Sequence, residues 1–129
     1  VNQWEYCSCK DGIVDHLVYN DRKEVWEHQD GTHIGLDFQT GTNGTFASRN
    51  WRCPTQGKYR IVFSAKCDTD TDVYVMLDNH ITLYRNEKTN AVHYENIVQV
   101  EENTFIQFVS GGGYLKEISI EIQKTLDNR

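Results

Sequence analysis

The sequence predicts an all-β fold, an antiparallel β-sandwich or jelly roll of about 8–10 strands. Three observations predict it. Apolar residues recur at every second position in run after run, turn-forming residues separate the runs, and no apolar stripe of helical spacing stands out.

Taken in order, residues 1–30 are the least regular, and "DGIVDHLVYNDRKEVWEH" reads as a strand pair or a short helix. The sandwich core is expected over 31–123, within one domain spanning 1–129. "HIGLDF" offers Ile34, Leu36 and Phe38 on one face. In "KYRIVFSAK", Tyr59, Ile61, Phe63 and Ala65 point one way, and Lys58, Arg60, Ser64 and Lys66 the other. "DVYVML" sets Val73, Val75 and Leu77 against Tyr74 and Met76. "HITLY" adds Ile81 and Leu83, "NIVQV" adds Val98 and Val100, and "TFIQFV" adds Ile106 and Phe108. "LKEISIEI" closes with Ile118, Ile120 and Ile122 inward and Glu117, Ser119 and Glu121 outward. Turns are expected at 30–31, 41–44, 54–57, 68–72, 78–79, 86–90, 101–103 and 111–113, where Gly, Asp, Asn and Pro gather. Pro54, the only proline, cannot donate to a ladder and suits a junction between two strands.

The chain has 129 residues, 38% of them hydrophobic and 25% charged, so it can bury a core and is not a disordered polar chain. Its net charge is −6, with Lys and Arg scattered singly. Nucleic-acid binding needs a concentrated basic patch, so that class is set aside. No apolar run approaches the roughly 18–20 residues that span a bilayer, and no membrane insertion is expected. The start at Val1, without Met or a leader, is expected of an excised domain or a mature product.

Cysteines stand at 7, 9, 53 and 67. A strand over 58–66 would hold Cys53 and Cys67 nearly 30 Å apart at about 3.3 Å per residue, too far to pair. A bridge from Cys7 or Cys9 to one of them, or four thiols, both remain open. The C-x-C spacing lacks the paired C-x-x-C of a zinc site.

Val62, Tyr74, Met76, Phe105 and Val109 fall on faces that a two-sheet sandwich turns to water. Apolar residues there point to a second burial surface, most simply a subunit interface.

"TGTNGTFASRNWRCPTQGKYRIVFSAK" resembles a segment of the C1q/TNF-like jelly roll, with its "CP" pair and the "GxYxF" pattern that opens the next strand. The likeness continues through "DVYVMLDNH", with His80 where that family usually has Gly. It runs on through "IVQVEENTFIQFV", with Glu102-Asn103 in place of Gly-Asp, and ends at "YLKEISIEI". It covers 34–122, and the family's closing "FSGFLL" is absent. The resemblance implies a ten-strand-type jelly roll, a homotrimer packed through one sheet, and recognition of a protein receptor or glycan rather than catalysis. It also implies an extracellular, virion or cell-surface setting, such as the tip of a fibre. "PTQGKYRIVFSAK", "VYVMLDN" and "NTFIQFVSGGGYLKEISIEI" are also similar to β-sandwich carbohydrate-binding modules of glycosidases, which implies a monomeric sugar-binding module as the alternative.

Sugar rings stack on exposed aromatics, with amides beside them to hold hydroxyls. Tyr84, Asn86, Asn90, His93 and Tyr94 form the densest such group, and Tyr114 and Trp51 are further candidates. Asp68, Asp70 and Asp72 alternate in "CDTDTD" and could supply oxygens to calcium, though without an EF-hand frame. Calcium is the one cofactor these residues suggest. No G-x-S-x-G elbow surrounds any serine, and no enzymatic activity is expected.

Overall fold

A computed structural model describes residues 4–10, 13–16, 18–20, 22, 25–27, 33–35, 38–39, 45–111 and 114–125, with side chains at 4–5, 22, 48–67, 71–111, 115 and 117–125. The fold is all-β and antiparallel. Six short strands come first: β1 (Trp4–Lys10), β2 (Ile13–His16), β3 (Val18–Asn20), β4 (Val25–Glu27), β5 (His33–Gly35) and β6 (Phe38–Gln39). They are followed by β7 (Thr45–Arg52), β8 (Gly57–Leu77), β9 (Ile81–Val100), β10 (Phe105–Gly111) and β11 (Tyr114–Lys124). β3, β4 and β5 form a small sheet of their own.

The large sheet is ordered β2-β1-β7-β10-β8-β11-β6, with β9 on β8. β8 is its spine. Its first half pairs with β11 on one side and with 91–100 of β9 on the other. Its second half pairs with β10 and with 81–89 of β9. β10 and β11 thus follow one another along the same side of β8. At the changeover, the β8–β9 register shifts between Lys66 and Thr71 and again before Val73. Bulges of this kind bend a strand and sharpen its twist. The sheet curls there, and its two halves become the facing layers of a sandwich.

Ring contacts across the layers show the closure. Phe63 of β8 meets Phe108 of β10 with centroids 5.0 Å apart, and Trp51 of β7 meets Tyr59 edge-on at 5.3 Å. Ile61, Phe63, Val73, Val75, Ile106 and Phe108 are all fully buried. Burying one such side chain contributes about 1.5–3 kcal/mol, so this shared interior outweighs anything on the surface.

The expected inward sets hold on β8, on β10 and on β11, where Ile118, Ile120 and Ile122 pack against the core. Glu117 takes a φ of 49° in a β11 bulge, which lets both Leu115 and Ile118 face in. Two expected turns are corrected. Residues 68–72 and 86–90 are strand, because β8 and β9 keep pairing with each other through the bend, and Lys88 absorbs the mismatch at φ 53°. Ile81 is corrected too. It is 57% exposed, because it opens β9 at the hairpin end, while a shift between Val75 and Met76 opposes Tyr84 to Val75.

β7, unremarkable in sequence, is a strand because β1 and β10 pair with it on either side. In 1–30 the described residues are strands with the single exception of Arg22. "HIGLDF" is divided between β5 and β6, and the side chains of Ile34, Leu36 and Phe38 lie outside the described residues.

The turns tie the sandwich ends. At 77–80, Asp78 and Asn79 have φ of 47° and 61°, and the His80 N–H donates to Leu77 C=O at 2.9 Å, a type I′ hairpin. At 101–104, Thr104 N–H donates to Glu101 C=O, and Asn103 supplies the positive φ of 69°. Cys53 exchanges backbone bonds with Asn103 and Thr104, so the ladder ends one residue before Pro54. Gly57 then starts β8 under the stem of Lys124, whose ammonium reaches Thr55 Oγ1 at 3.0 Å.

Candidate functional site

The expected aromatic group is partly assembled by β9. Tyr84 and Tyr94 lie on opposite sides of the bend, and the curl brings their rings to 5.1 Å. Each phenol oxygen accepts from a carboxamide two residues on, Tyr84 from Asn86 Nδ2 at 3.0 Å and Tyr94 from Asn96 Nδ2 at 3.1 Å. Tyr94 is buried, and burial pushes its phenol up while the Asn96 bond opposes that. Tyr84 and Asn86 are half-buried, and Asn96 is exposed. The result is a braced pair of phenols, Tyr94 within the core and Tyr84 packed against it, each bonded to a carboxamide.

The other sugar candidates are placed elsewhere. His93 alternates with Tyr94 and projects on the outer face, with Nε2 4.0 Å from Glu95. Asn90 is exposed in the bend. Trp51 and Tyr94 are corrected: each at 8% exposure is a core residue, Trp51 because β7's alternation turns it inward onto Tyr59, and Tyr94 because it stands opposite Phe63 of β8. Tyr114 pairs with Gln39, and its side chain lies outside the described residues. Asn96 was missed by the sequence reading. The repeated Tyr-x-Asn of Tyr84-Arg85-Asn86 and Tyr94-Glu95-Asn96 was the signal for it.

Of the expected interface residues, four share one face. Val109 stands opposite Tyr74, and Gln107 opposite Met76, with Phe105 further along β10. All four apolar members are half-buried rather than open. The Arg52 guanidinium sits 4.4 Å over the Phe105 ring and pairs with Glu5 at 3.5 Å. Gln107, only 5% exposed, exchanges hydrogen bonds with Asn79 at the hairpin tip. Beside it in register is Asn50, which accepts from the Ser48 hydroxyl. Val62 is on the other layer, opposite Glu95 and Glu121, which both pair with Arg60. Lys66 and Glu117 add a further ion pair there at 3.3 Å. Exposed pairs of this kind contribute about 0–1 kcal/mol each, which marks that face as solvated.

Asp68 and Asp70 lie on β8 within the bend, with side chains outside the described residues. Asp72 accepts the Lys88 N–H at 2.9 Å, so one of its oxygens closes the β9 bulge. Among the described residues no group of three His, Cys, Asp or Glu is placed to hold a metal ion. Cys53 and Cys67 are buried thiols that do not pair with each other, donating to the carbonyls of Thr55 and Thr89.

The class that fold and geometry define is an all-β antiparallel sandwich of jelly-roll type, with one outer face of ion pairs and one that mixes aromatic, amide and charged groups. The chain matches no known family model, and no curated protein matches it as a relative.

Tyr74 gives the second face a pH signature. Its hydroxyl donates to Glu87 Oε2 at 2.8 Å, and Arg85 approaches the other oxygen at 3.0 Å. Burial, then Glu87, pushes the Tyr74 phenol up to about 12, while the Tyr74 bond, then Arg85, holds the Glu87 carboxyl below its usual range. A lowered carboxyl stabilises above its unfolded pKa and loses that contribution as pH falls through the folded one. A raised phenol stabilises fully below its ordinary value of 10.0 and loses that contribution as pH climbs towards 12. In urea titrations, the advantage of wild type over Tyr74→Phe is therefore expected to be largest near neutrality. It should shrink on both the acid and the alkaline side, and a pH-independent difference would contradict the bond.

Proposed function

We propose that this chain is a non-enzymatic recognition head of C1q/TNF-like type that assembles as a homotrimer. It meets a protein receptor or a surface glycan through its loop ends, at an extracellular, virion or cell surface. The strand order carries the reading: β8 runs between β9 and the β10–β11 pair through both layers, the jelly roll that the resemblance implies. The motif residues also take fitting roles. Cys53-Pro54 ends a ladder, Tyr59, Ile61 and Phe63 enter the core, and Asp78-Asn79 make the hairpin. Tyr74, Met76, Phe105 and Val109 support self-association on the layer that contains β10.

A second reading is a monomeric carbohydrate-binding module. Half-buried Tyr84, beside Asn86 and backed by Tyr94, favours it, since an aromatic face beside an amide suits a sugar ring.

Sedimentation equilibrium tests the first reading. The expected mass is three times the 15.0 kDa chain. Val109→Glu should return single chains, while Val62→Glu, on the other layer, should stay assembled. Wild type at the mass of one chain overturns the trimer, and dissociation by Val62→Glu alone moves the interface to the charged layer. For the second reading, a glycan array with wild type and Tyr84→Ala should show binding that the variant loses. Binding indifferent to that change removes Tyr84 from the site.

A further inference from the structure

β9 is an edge strand. Among the described residues it pairs with β8 only. Over 91–100 that pairing runs without a register shift, so successive residues turn their backbone groups alternately to β8 and to the open side. Side-chain hydrogen bonds fix which are which. The Ile97 N–H donates to Asn96 Oδ1 at 2.8 Å. The Ala91 N–H donates to Thr89 Oγ1 at 3.3 Å, and the same hydroxyl donates to Ala91 C=O at 2.7 Å. Ala91 and Ile97 have the same parity and both face away from β8. The Thr89 hydroxyl occupies the place that a partner strand's peptide group would take.

A long edge with bare N–H and C=O groups is a template for another strand, and proteins blunt such edges. Here a second copy of the chain fits. Antiparallel self-pairing centred on Tyr94 would set Ala91 opposite Ile97, and the His93 imidazole opposite the Glu95 carboxylate. Ile97, 56% exposed, would gain apolar cover in that arrangement. The residues that would pair at its two ends are the two that carry caps.

We propose that the open edge of β9 is a latent pairing surface for a second copy of this chain, held closed by Thr89 and Asn96. This is independent of the trimer reading, which uses a sheet face. In the 129-residue chain, Thr89→Val with Asn96→Val removes the caps from one half-buried and one exposed position and should leave the fold intact, as thermal unfolding would show. The expected result is a rise in sedimenting mass of about twofold or more over wild type, with slowed exchange of the Ala91 and Ile97 amides. Thr89→Ser with Asn96→Asp keeps both oxygens and should sediment as wild type. Gln99→Val adds an apolar side chain without removing a cap and should do the same. Adding Glu95→Lys to the uncapped variant should reverse its assembly. An uncapped variant that sediments as wild type overturns the proposal. So does equal assembly by Gln99→Val, or assembly that survives Glu95→Lys.

Discussion

The bend in β8 is the constraint on which the rest of the structure depends. One strand serves both layers, so the interior closes only if β9 and the β10–β11 pair turn at the same level. They do so by different means. β8 carries Asp68-Thr69-Asp70 through the shift, β9 places Lys88 at φ 53°, and β10 passes to β11 at 111–114. Asp, Lys and Gly are depleted in regular strands, so ladder regularity is given up there at little cost. Apolar residues resume on either side, and Phe63 then reaches Phe108 across the layers.

The bend also separates two outer surfaces made by the same strands. Before it, β8 presents Arg60, Val62 and Ser64 beside Glu95 and Glu121, a face of ion pairs that water screens. Beyond it, β8 presents Tyr74 and Met76 beside Gln107 and Val109, where Gln107 is buried and bonded and Tyr74 joins the exposed Arg85–Glu87 pair. A face that buries amides while exposing part of its apolar atoms is suited to a partner. A ladder of exposed ion pairs is suited to solvent. The 77–80 turn is tied to the second surface, since Asp78 accepts from the Phe105 N–H and Asn79 from the Gln107 carboxamide.

Much of this was legible in the sequence. Strict alternation placed Tyr59, Ile61, Phe63, Val73, Val75, Ile106 and Phe108 inside, and Asp78-Asn79 marked the hairpin. The strand bend was less legible, because Asp68–Asp72 and Asn86–Asn90 have turn chemistry, and composition alone does not distinguish a turn from a bulge that keeps its partners. β7 was hidden for a related reason. Ser48, Arg49 and Asn50 break its apolar alternation, and pairing with β1 and β10 makes it a strand. At the candidate site, Tyr84, Asn86 and Tyr94 were found by type. Asn96 is an unremarkable strand residue until the curl puts the two Tyr-x-Asn units side by side. Trp51 was misplaced because its position just before Cys53-Pro54 suggested a loop, whereas the ladder runs on to Cys53.

If the two layers are one folded ladder, they cannot open separately. Native-state hydrogen exchange across a denaturant series tests this most directly, read at Ile61 and Phe63 in one layer and at Val73 and Val75 in the other. The account predicts one opening free energy and one denaturant slope for all four amides. A smaller free energy and a shallower slope for either pair would show that the layers unfold apart, and would contradict it.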